Sequence, residues 1–300
     1  MGRSGTSALA RTLSLCGGAL PATLLGSDDG NQKGYWEPQD ALHLNERFLT
    51  RHGSTWFDPT LRLHGEVSFR DRRRDAYLEE IRTFLRELPP APLHIIKEPR
   101  ITALSDFWFD AARQVGFRVT AAVPVRHPQE VSASLVARYQ MSSELATALW
   151  LKYNLLAERQ SRGLPRVFVE YSNLLRDWRA EVARIEAALS IDLSARNEAA
   201  IDDFLSTDLR RQRHGTGISE VFGNPWNSRV YTALSAASRD EPLDTDALDA
   251  MFDSYRTCEH AFRVSLDEFR TRFAPGAASG RPIMTRLLAR FRLYAGRRAT

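Results

Sequence analysis

The sequence contains little cysteine and no long apolar run. Among its 300 residues there are two cysteines, Cys16 and Cys258, which are too few for a disulfide framework and do not match the spacing of a metal site. We therefore expect a reducing compartment, the cytoplasm. No run of about 18 apolar residues occurs, so we expect no segment to span a membrane. The polar, glycine-rich N-terminus does not resemble a signal peptide.

Neither sign of charge is in large excess. The chain has 41 lysine and arginine residues, 37 acidic residues and a formal net charge of +4. This small positive excess suits an anionic ligand, but it does not predict a nucleic-acid partner. A hydrophobic content of 43% and a charged content of 26% are typical of a globular protein. The length allows one large domain or two ordinary ones.

The first dozen residues predict an anion site at the start of a helix. Gly5 permits backbone conformations that a β-carbon would forbid, and an apolar run at helical spacing begins at Ala8. The free N–H groups and the positive dipole end of such a helix attract anions, and Arg3 adds a cation. The alternative is that Ser4 or Thr6 only caps the helix with its side chain. The candidate anion-binding residues are Arg3, Ser4, Gly5, Thr6 and Ser7.

No lysine occurs before Lys33, which excludes a Walker A phosphate loop. That loop places a lysine on the β- and γ-phosphates, whereas here Thr6 directly follows Gly5. The absence argues against ATP or GTP hydrolysis. Phosphate loops of α/β proteins also follow a buried strand, and only two residues precede Arg3. We therefore expect either a start upstream of Met1 or a sheet without its usual first strand.

Apolar runs and helical patterns alternate along the chain. Short apolar runs predict buried strands at 93–97, 119–125 and 167–169. This order predicts one α/β domain with a mostly parallel sheet and helices on both faces, like the nucleotide-binding P-loop folds. Helical periodicity is present at 40–49, 69–88, 104–115, 131–139, 145–159, 178–189 and 246–273.

The C-terminal end is basic. We expect the α/β domain to cover residues 1–274, and residues 275–300 to form a linker and a small basic amphipathic helix. Such a helix either contacts an anionic membrane or a partner, or docks on the domain.

Charged and hydroxyl residues follow two of the predicted strands. Lys97 comes directly after the first, and Arg126 leaves the second. Ser134 lies eight residues after Arg126, two turns into the next predicted helix. In open α/β sheets ligands bind at the carboxyl ends of strands, so Arg126 and Ser134 are placed to reach one phosphate. An arginine that caps a strand and an unrelated helix serine are the alternative.

Two of these motifs resemble those of the sulfotransferases that use 3′-phosphoadenosine 5′-phosphosulfate (PAPS). Arg3–Ser7 before a helix resembles the family's 5′-phosphosulfate loop, and Arg126 with Pro128 and Ser134 resembles its 3′-phosphate motif. Residues 31–37 resemble the segment after the loop in bacterial members. The resemblance covers residues 1–215. It implies a P-loop-like fold, PAPS as the donor, no metal, and sulfuryl transfer to a hydroxyl or amine.

The resemblance also assigns donor-binding residues farther along the chain. Tyr171 follows the third predicted strand, at the position whose aromatic residue lies against the adenine ring in the family. A basic segment late in the family's domain closes over the 3′-phosphate, and Arg211 and Arg213 fall in a matching cluster. A solvated basic turn is the alternative for that cluster.

Four residues are candidates for catalysis. Arg3 and Lys97 are placed to stabilise the charge that develops on the leaving phosphate. A carboxylate should take the proton of the acceptor. Neighbouring aromatic residues would desolvate Glu37 and strengthen it as a base, whereas Lys97 and Arg100 flank Glu98 and would weaken it. We therefore expect Glu37 to be the base and Glu98 to hold Lys97 and Arg100 in place.

The aromatic residues near the motifs narrow the chemical class of the acceptor. A carbohydrate or a glycolipid, or a phenol, would suit the aromatic residues near the motifs. Two other functions stay open: a degenerate P-loop kinase or NTPase, and a non-catalytic nucleotide-binding protein. The aromatic residues considered as acceptor contacts are Tyr35, Trp36, Trp56 and Trp108.

Overall fold

Helices dominate the fold and surround one pair of parallel strands. The computed structural model describes residues 1–28, 31–64, 72–205 and 220–272. The strands in this part are β1 (Ala121–Val125) and β2 (Arg166–Glu170). Two 3-10 helices occupy Arg62–His64 and Pro99–Ala103. The α-helices are α1 (Thr6–Leu15), α2 (Gln39–Arg51), α3 (Arg72–Arg86), α4 (Ser105–Gln114), α5 (Pro128–Tyr139), α6 (Ser143–Gln160), α7 (Tyr171–Arg176), α8 (Trp178–Leu189), α9 (Glu198–Phe204), α10 (Trp226–Ala237) and α11 (Thr245–Arg272).

The two strands form a parallel pair, as expected from their apolar runs. Ala121 lies opposite Arg166, and the register continues to Val125 opposite Glu170. Helices α5 and α6 connect them, so this part of the chain is a β-α-β unit and the α/β class is confirmed. Because parallel strands end at the same edge, the residues that follow them, Arg126 and Tyr171, are brought together.

The prediction of a buried strand at 93–97 is wrong, because these residues do not form a regular strand. Its pairing in the described part of the chain is a single parallel bridge between Ala19 and His94. The Ala19 N–H donates to the Leu93 carbonyl at 2.8 Å, and the Ile95 N–H donates to the Ala19 carbonyl at 2.8 Å. A ladder needs consecutive paired residues, and the bridge does not extend because Ala19 follows a helix end and leads into a turn.

Two apolar clusters pack on this framework. One joins α1, β2 and α8 through side chains such as Leu9, Val169 and Ile185. The other joins α2, α3 and α4 and includes Phe48 and Ile81. The segment at 93–96 contributes to both, with Leu93 and Ile95 against the first cluster and Ile96 against the second. Side chains that alternate between two packed faces are typical of a strand that is buried on both faces.

Helix ends follow the expected capping chemistry. The Ser142 hydroxyl accepts from the Leu145 N–H at the start of α6, and the Asp177 carboxylate accepts from the Ala180 N–H at the start of α8. Helix α5 begins with Pro128, where a missing N–H costs nothing. The predicted helices agree with the structure to within a few residues at each end, and the predicted helical residues 69–71 and 273 lie outside the described residues.

The chain divides into two compact units, Met1–Ser254 and a second that begins at Tyr255. In the described part of the second unit, Arg263 pairs with Glu259 one helical turn earlier, at 3.2 Å. The predicted linker and basic helix at 275–300 lie outside the described residues. Across the described ranges, no helix combines the length and the apolar character needed to cross a membrane.

Candidate functional site

The N-terminal loop ends at Gly5, which is the N-cap of α1. Gly5 has φ +84° and no side chain caps this helix, so the alternative in which Ser4 or Thr6 caps it is wrong. The reason is local: the left-handed conformation at Gly5 starts the helix, and the Ser4 side chain is turned into the interior. The Ser4 hydroxyl is buried and has no hydrogen-bond partner. The first N–H groups of α1, from Thr6 onward, have no intrahelical acceptor and point out of the helix end.

Tyr171 packs directly on this loop. A β-carbon at position 5 would lie 2.3 Å from Cδ2 of the Tyr171 ring, far inside van der Waals contact. Glycine is therefore required at position 5 both for its backbone conformation and for this close approach.

Arg3, Ser134 and Arg126 converge although they are far apart in the sequence. The Arg3 Nε donates to the Ser134 hydroxyl at 2.9 Å, and the Arg126 Nη1 donates to the Arg3 carbonyl at 3.0 Å. The Arg126 guanidinium also lies 4.7 Å from the centre of the Tyr171 ring. Arg3 adopts φ +67°, a conformation that non-glycine residues rarely hold and that often marks a functional loop. The two predicted phosphate motifs thus form one contiguous cluster.

Arg126 is held rigidly in this cluster. Its Nε donates to Glu130 Oε2 at 2.9 Å, one turn along α5, and both side chains are buried. The Trp150 indole N–H donates to the Arg126 carbonyl at 3.1 Å. A buried ion pair of this kind fixes the guanidinium in one orientation.

Lys97 joins the loop to Glu37. Its ammonium group forms a buried ion pair with Glu37 Oε1, donates to the Tyr35 carbonyl at 3.1 Å and lies 3.4 Å from the Ser7 hydroxyl. Ser7 in turn donates to the same Tyr35 carbonyl at 3.1 Å. Burial lowers the pKa of Lys97, and the Glu37 carboxylate opposes that shift.

Glu98 holds one of its two predicted partners, Arg100, and the prediction that it also holds Lys97 is wrong. It was predicted to hold both Lys97 and Arg100, but its carboxylate binds Arg100 Nη1 at 2.5 Å and accepts from the Arg100 N–H at 3.1 Å, whereas Lys97 pairs with Glu37. The cause is direction, because successive residues of an extended segment point to opposite faces. Burial raises the pKa of Glu98, and Arg100 opposes that shift.

These groups line a cavity of about 440 Å³. Among the described residues, its lining holds more cations than carboxylates, and Glu98 is not part of it. The loop residues Arg3, Gly5, Thr6 and Ser7 line it together with Tyr171. The cationic side chains in the lining are Arg3, Lys33, Lys97, Arg100, Arg126 and Arg138, and the carboxylates are Asp28 and Glu37.

Asp28, Tyr35 and Arg138 form a linked group on this lining. The Tyr35 hydroxyl donates to the Asp28 carboxylate at 2.9 Å and lies 3.0 Å from the donating Arg138 Nη2, and Arg138 pairs with Asp28. Burial, with the Asp28 hydrogen bond second, raises the pKa of Tyr35 to about 12. The phenol is therefore neutral at physiological pH and cannot serve as a base there.

The predicted aromatic contacts divide into two pairs. Tyr35 and Trp56 line the cavity, but Trp36 and Trp108 do not. Trp36 has φ +58°, which turns its ring away to lie 4.4 Å from the Arg11 guanidinium. Trp108 belongs to the core, where its indole N–H donates to Asn45 Oδ1 at 2.9 Å.

Sequence reasoning missed several lining residues, among them Arg138, Tyr139 and Asp28. Arg138 lies one helical turn beyond Ser134, so the i+4 spacing on α5 contained a signal that it shares the same face. Tyr139 follows it and packs its ring 5.4 Å from that of Trp56. Asp28 sits in a turn-rich stretch, and no pattern distinguished it from its neighbours.

Two predicted donor-binding residues, Arg211 and Arg213, lie outside the described residues. Within the ranges that the structure describes, no group of three or more histidine, cysteine, aspartate or glutamate side chains is arranged to hold a metal ion.

No protein-family model, no curated protein and no solved structure matches this chain.

Proposed function

We propose that this chain is a sulfotransferase that moves a sulfuryl group from PAPS to a hydroxyl or amine acceptor. The observation that carries the proposal is the contact between the two motifs. Arg3 of the first bonds Ser134 of the second at 2.9 Å, and Arg126 bonds the Arg3 carbonyl at 3.0 Å. The sequence resemblance alone does not require these two contacts, which join residues separated by 131 and 123 positions in the chain. A donor with phosphate groups at both its 5′ and 3′ positions needs such a joined pair of anion sites.

The residues present fit such a donor. The uncapped start of α1 offers N–H groups and a positive dipole end to the 5′-phosphosulfate. Arg126 and Ser134 offer charged and neutral donors to the 3′-phosphate. Tyr171 presents a ring beside Gly5, suited to stack on a base. Thr6, rather than a lysine, follows Gly5, and this disfavours ATP or GTP as the nucleotide.

PAPS supplies a sulfuryl group whose transfer leaves negative charge on the bridging phosphate oxygen. Arg3, Lys97 and the α1 N–H groups stabilise that charge, because fixed donors in a water-poor site lose little energy to reorganisation. The lining has several cations beyond Arg3 and Lys97, which favours retention of the anionic donor and product.

Glu37 is the proposed general base. It lines the cavity, and its Oε1 is bound to Lys97 while Oε2 has no hydrogen bond within the described part of the chain. Oε2 accepts the acceptor's proton as the new bond to sulfur forms and the bond to the phosphate oxygen breaks. Protonation of Glu37 weakens its attraction for Lys97, so the ammonium, already 3.4 Å from the Ser7 hydroxyl, is freed to stabilise the leaving phosphate.

Glu98 acts as a positioning residue in this scheme. It fixes Arg100, which lines the cavity next to Lys97, and it does not itself line the cavity. The proposed acceptor is a carbohydrate or a glycolipid, because the aromatic residues Tyr35 and Trp56 line the same cavity as the paired polar groups Asp28 and Arg138.

The test is transfer of radiolabelled sulfate from PAPS to a panel of sugars, glycolipids, phenols and amines. We expect label in an acceptor with an equal amount of adenosine 3′,5′-bisphosphate formed. Binding of adenosine 3′,5′-bisphosphate without transfer to any acceptor would indicate a non-catalytic binding protein. Hydrolysis of ATP in its place would indicate a degenerate NTPase or kinase.

A further inference from the structure

Trp36 stands between two residues of the cavity lining. Tyr35 and Glu37 both line the 440 Å³ cavity, and Trp36 does not. The backbone of Trp36 has φ +58°, in the left-handed region, which is an outlier for a bulky aromatic residue. A residue keeps such a conformation only where its surroundings hold it there, often at a functional site.

The φ angle of Trp36 sets the direction of the Tyr35 carbonyl. A peptide unit is planar, so rotation about the N–Cα bond of one residue turns the carbonyl of the residue before it. The Tyr35 carbonyl accepts from the Lys97 ammonium at 3.1 Å and from the Ser7 hydroxyl at 3.1 Å. With Glu37 kept in place, an ordinary negative φ at Trp36 would turn this carbonyl away from both donors.

Glu37 is fixed on the other side of Trp36. Its carbonyl accepts from the Leu25 N–H at 2.7 Å, and its carboxylate forms the buried ion pair with Lys97. Lys97 therefore binds one group on each side of Trp36, the Tyr35 carbonyl before it and a carboxylate after it. The backbone conformation at Trp36 sets how these two acceptors lie relative to each other.

Two contacts hold the Trp36 ring in place. The indole N–H donates to the Lys33 carbonyl at 3.0 Å, and the ring makes an edge-to-face contact with Phe204, with centroids 6.4 Å apart. The Lys33 ammonium in turn donates to the Phe204 carbonyl at 2.5 Å, at the C-terminal end of α9. A ring held at its nitrogen and against a second ring resists the rotation that a negative φ requires.

We propose that Trp36 is a positioning residue for Lys97 and Glu37. Its ring holds the left-handed backbone that directs the Tyr35 carbonyl to the Lys97 ammonium, beside the Glu37 carboxylate. This proposal deepens the proposed function and rests on it for the catalytic roles of Lys97 and Glu37. The contacts do not depend on those roles, so they can be tested without an acceptor.

Two substitutions separate the backbone role of Trp36 from packing of its ring. Trp36→Gly and Trp36→Ala both remove the ring, but glycine adopts a positive φ readily and alanine does not. We expect Trp36→Ala to lower turnover at least about tenfold and to change KM for PAPS less than about threefold, because misplaced catalytic groups slow the chemical step. Trp36→Gly should be at least about threefold faster than Trp36→Ala, because it lacks the left-handed strain.

Two kinetic results would overturn the proposal. One is turnover of Trp36→Ala close to that of the unsubstituted protein. The other is equal turnover of the glycine and alanine variants, since packing of the ring alone would then explain the loss. Arg11→Ala is the matched control: Arg11 lies 4.4 Å from the ring centre, but both side chains are half-buried and such a cation contributes little there.

The chain has three lysines, which allow a test that needs no catalysis: Lys33, Lys97 and Lys152. Nitrogen-15 NMR of their labelled ammonium groups measures hydrogen exchange at each one. In Trp36→Ala we expect exchange at Lys97 to quicken at least about threefold, because this ammonium loses the Tyr35 carbonyl. Lys152 donates to a carbonyl elsewhere in the fold and is the internal reference.

The lysine measurement distinguishes failure of this proposal from failure of the proposed function. Unchanged exchange at Lys97 in Trp36→Ala would overturn the positioning role whether or not the protein transfers sulfuryl groups. Faster exchange in that variant, but not in Arg11→Ala, would support the positioning role even if no transfer were found. If Trp36→Ala does not fold, Trp36→Phe, which loses only the bond to the Lys33 carbonyl, should quicken exchange in the same direction, and no change there would count against the proposal.

Discussion

The Arg3 guanidinium donates a 2.9 Å hydrogen bond to the hydroxyl of Ser134, a residue 131 positions later in the chain. Arg3 lies in the loop before α1, and Ser134 lies on α5, two turns after the end of β1. The contact brings the two proposed anion-binding motifs into one site.

Removal of Arg3 should slow catalysis. We expect Arg3→Ala to lower turnover by at least about 10²-fold, because one charge-stabilising donor is lost. Arg11→Ala is the matched control, since Arg11 lies over the Trp36 ring and does not line the cavity. Steady-state rates at saturating PAPS measure the effect, and a rate near that of the unsubstituted protein would exclude this role for Arg3.

Removal of Arg126 should weaken recognition of the 3′-phosphate. We expect Arg126→Ala to weaken binding of adenosine 3′,5′-bisphosphate by about 1.5–3 kcal/mol, as for a charged hydrogen bond lost, and to leave adenosine 5′-phosphate nearly unaffected. Calorimetry measures both. Because Glu130 is buried against Arg126, the variant Arg126→Ala with Glu130→Gln controls for a folding defect. Equal losses for both nucleotides would mean that Arg126 does not bind that phosphate.

The two glutamates should differ in what they affect. We expect Glu37→Gln to keep affinity for PAPS and to lower turnover by about 10²-fold or more, as for loss of a general base. Glu98→Gln should lower donor binding or folding stability together with rate, because it removes the charge that faces Arg100. Rates, calorimetry and urea unfolding of both variants distinguish the roles. Normal turnover in Glu37→Gln with an isolated loss of turnover in Glu98→Gln would reverse them.

A β-carbon at position 5 should block the proposed nucleotide site. We expect Gly5→Ala to weaken binding of adenosine 3′,5′-bisphosphate by at least about tenfold, because the new atom displaces the Tyr171 ring. Gly116→Ala is the matched control: Gly116 also has positive φ, at +91°, but nothing lies within 4 Å of its added β-carbon. Both variants should lose about 1 kcal/mol of stability from backbone strain. Unchanged nucleotide affinity in Gly5→Ala would show that the ring contact is irrelevant to binding.

Stability should fall in mild acid because of His64. Burial, with the Lys152 charge second, lowers the pKa of His64 from 6.5 to about 4. Above pH 6.5 the ring is neutral in both states and its contribution is fully present. As the pH falls from 6.5 to 4, only the unfolded chain gains the proton, and about 3 kcal/mol of the free energy of unfolding is lost.

Urea unfolding between pH 7.5 and 4 measures this loss. The variant His64→Gln should show a pH dependence that is shallower by that amount. Identical curves for the variant and the unsubstituted protein would rule out His64 as the source.

The elements that carry Arg126 and Ser134 could be predicted from the sequence. An apolar run bounded by Arg126 and Pro128 predicts a strand end followed by a helix, and the spacing of Ser134 follows from helical geometry. Local signals of this kind are strong because each depends on neighbouring residues alone. The meeting of Arg3 with Ser134 depends on tertiary packing, and only the resemblance suggested it.

Side-chain direction and strand pairing could not be predicted. The ring of Trp36 leaves the cavity because of a positive φ that no pattern signals. The pairing of residues 93–97 depends on a partner distant in the sequence, Ala19, so an apolar run there is not enough to form a regular strand. The partner of Glu98 was predicted only in part, because side chains alternate along an extended segment and Lys97 faces Glu37.

The most direct test of the joined site is nucleotide discrimination by the unsubstituted protein. Calorimetry should compare adenosine 3′,5′-bisphosphate with adenosine 5′-phosphate and ATP under the same buffer and salt. If Arg126 and Ser134 bind the 3′-phosphate beside the loop at Arg3, the bisphosphate should bind at least about tenfold more tightly than adenosine 5′-phosphate and more tightly than ATP. Equal affinity for the bisphosphate and adenosine 5′-phosphate, or preference for ATP, would contradict the account.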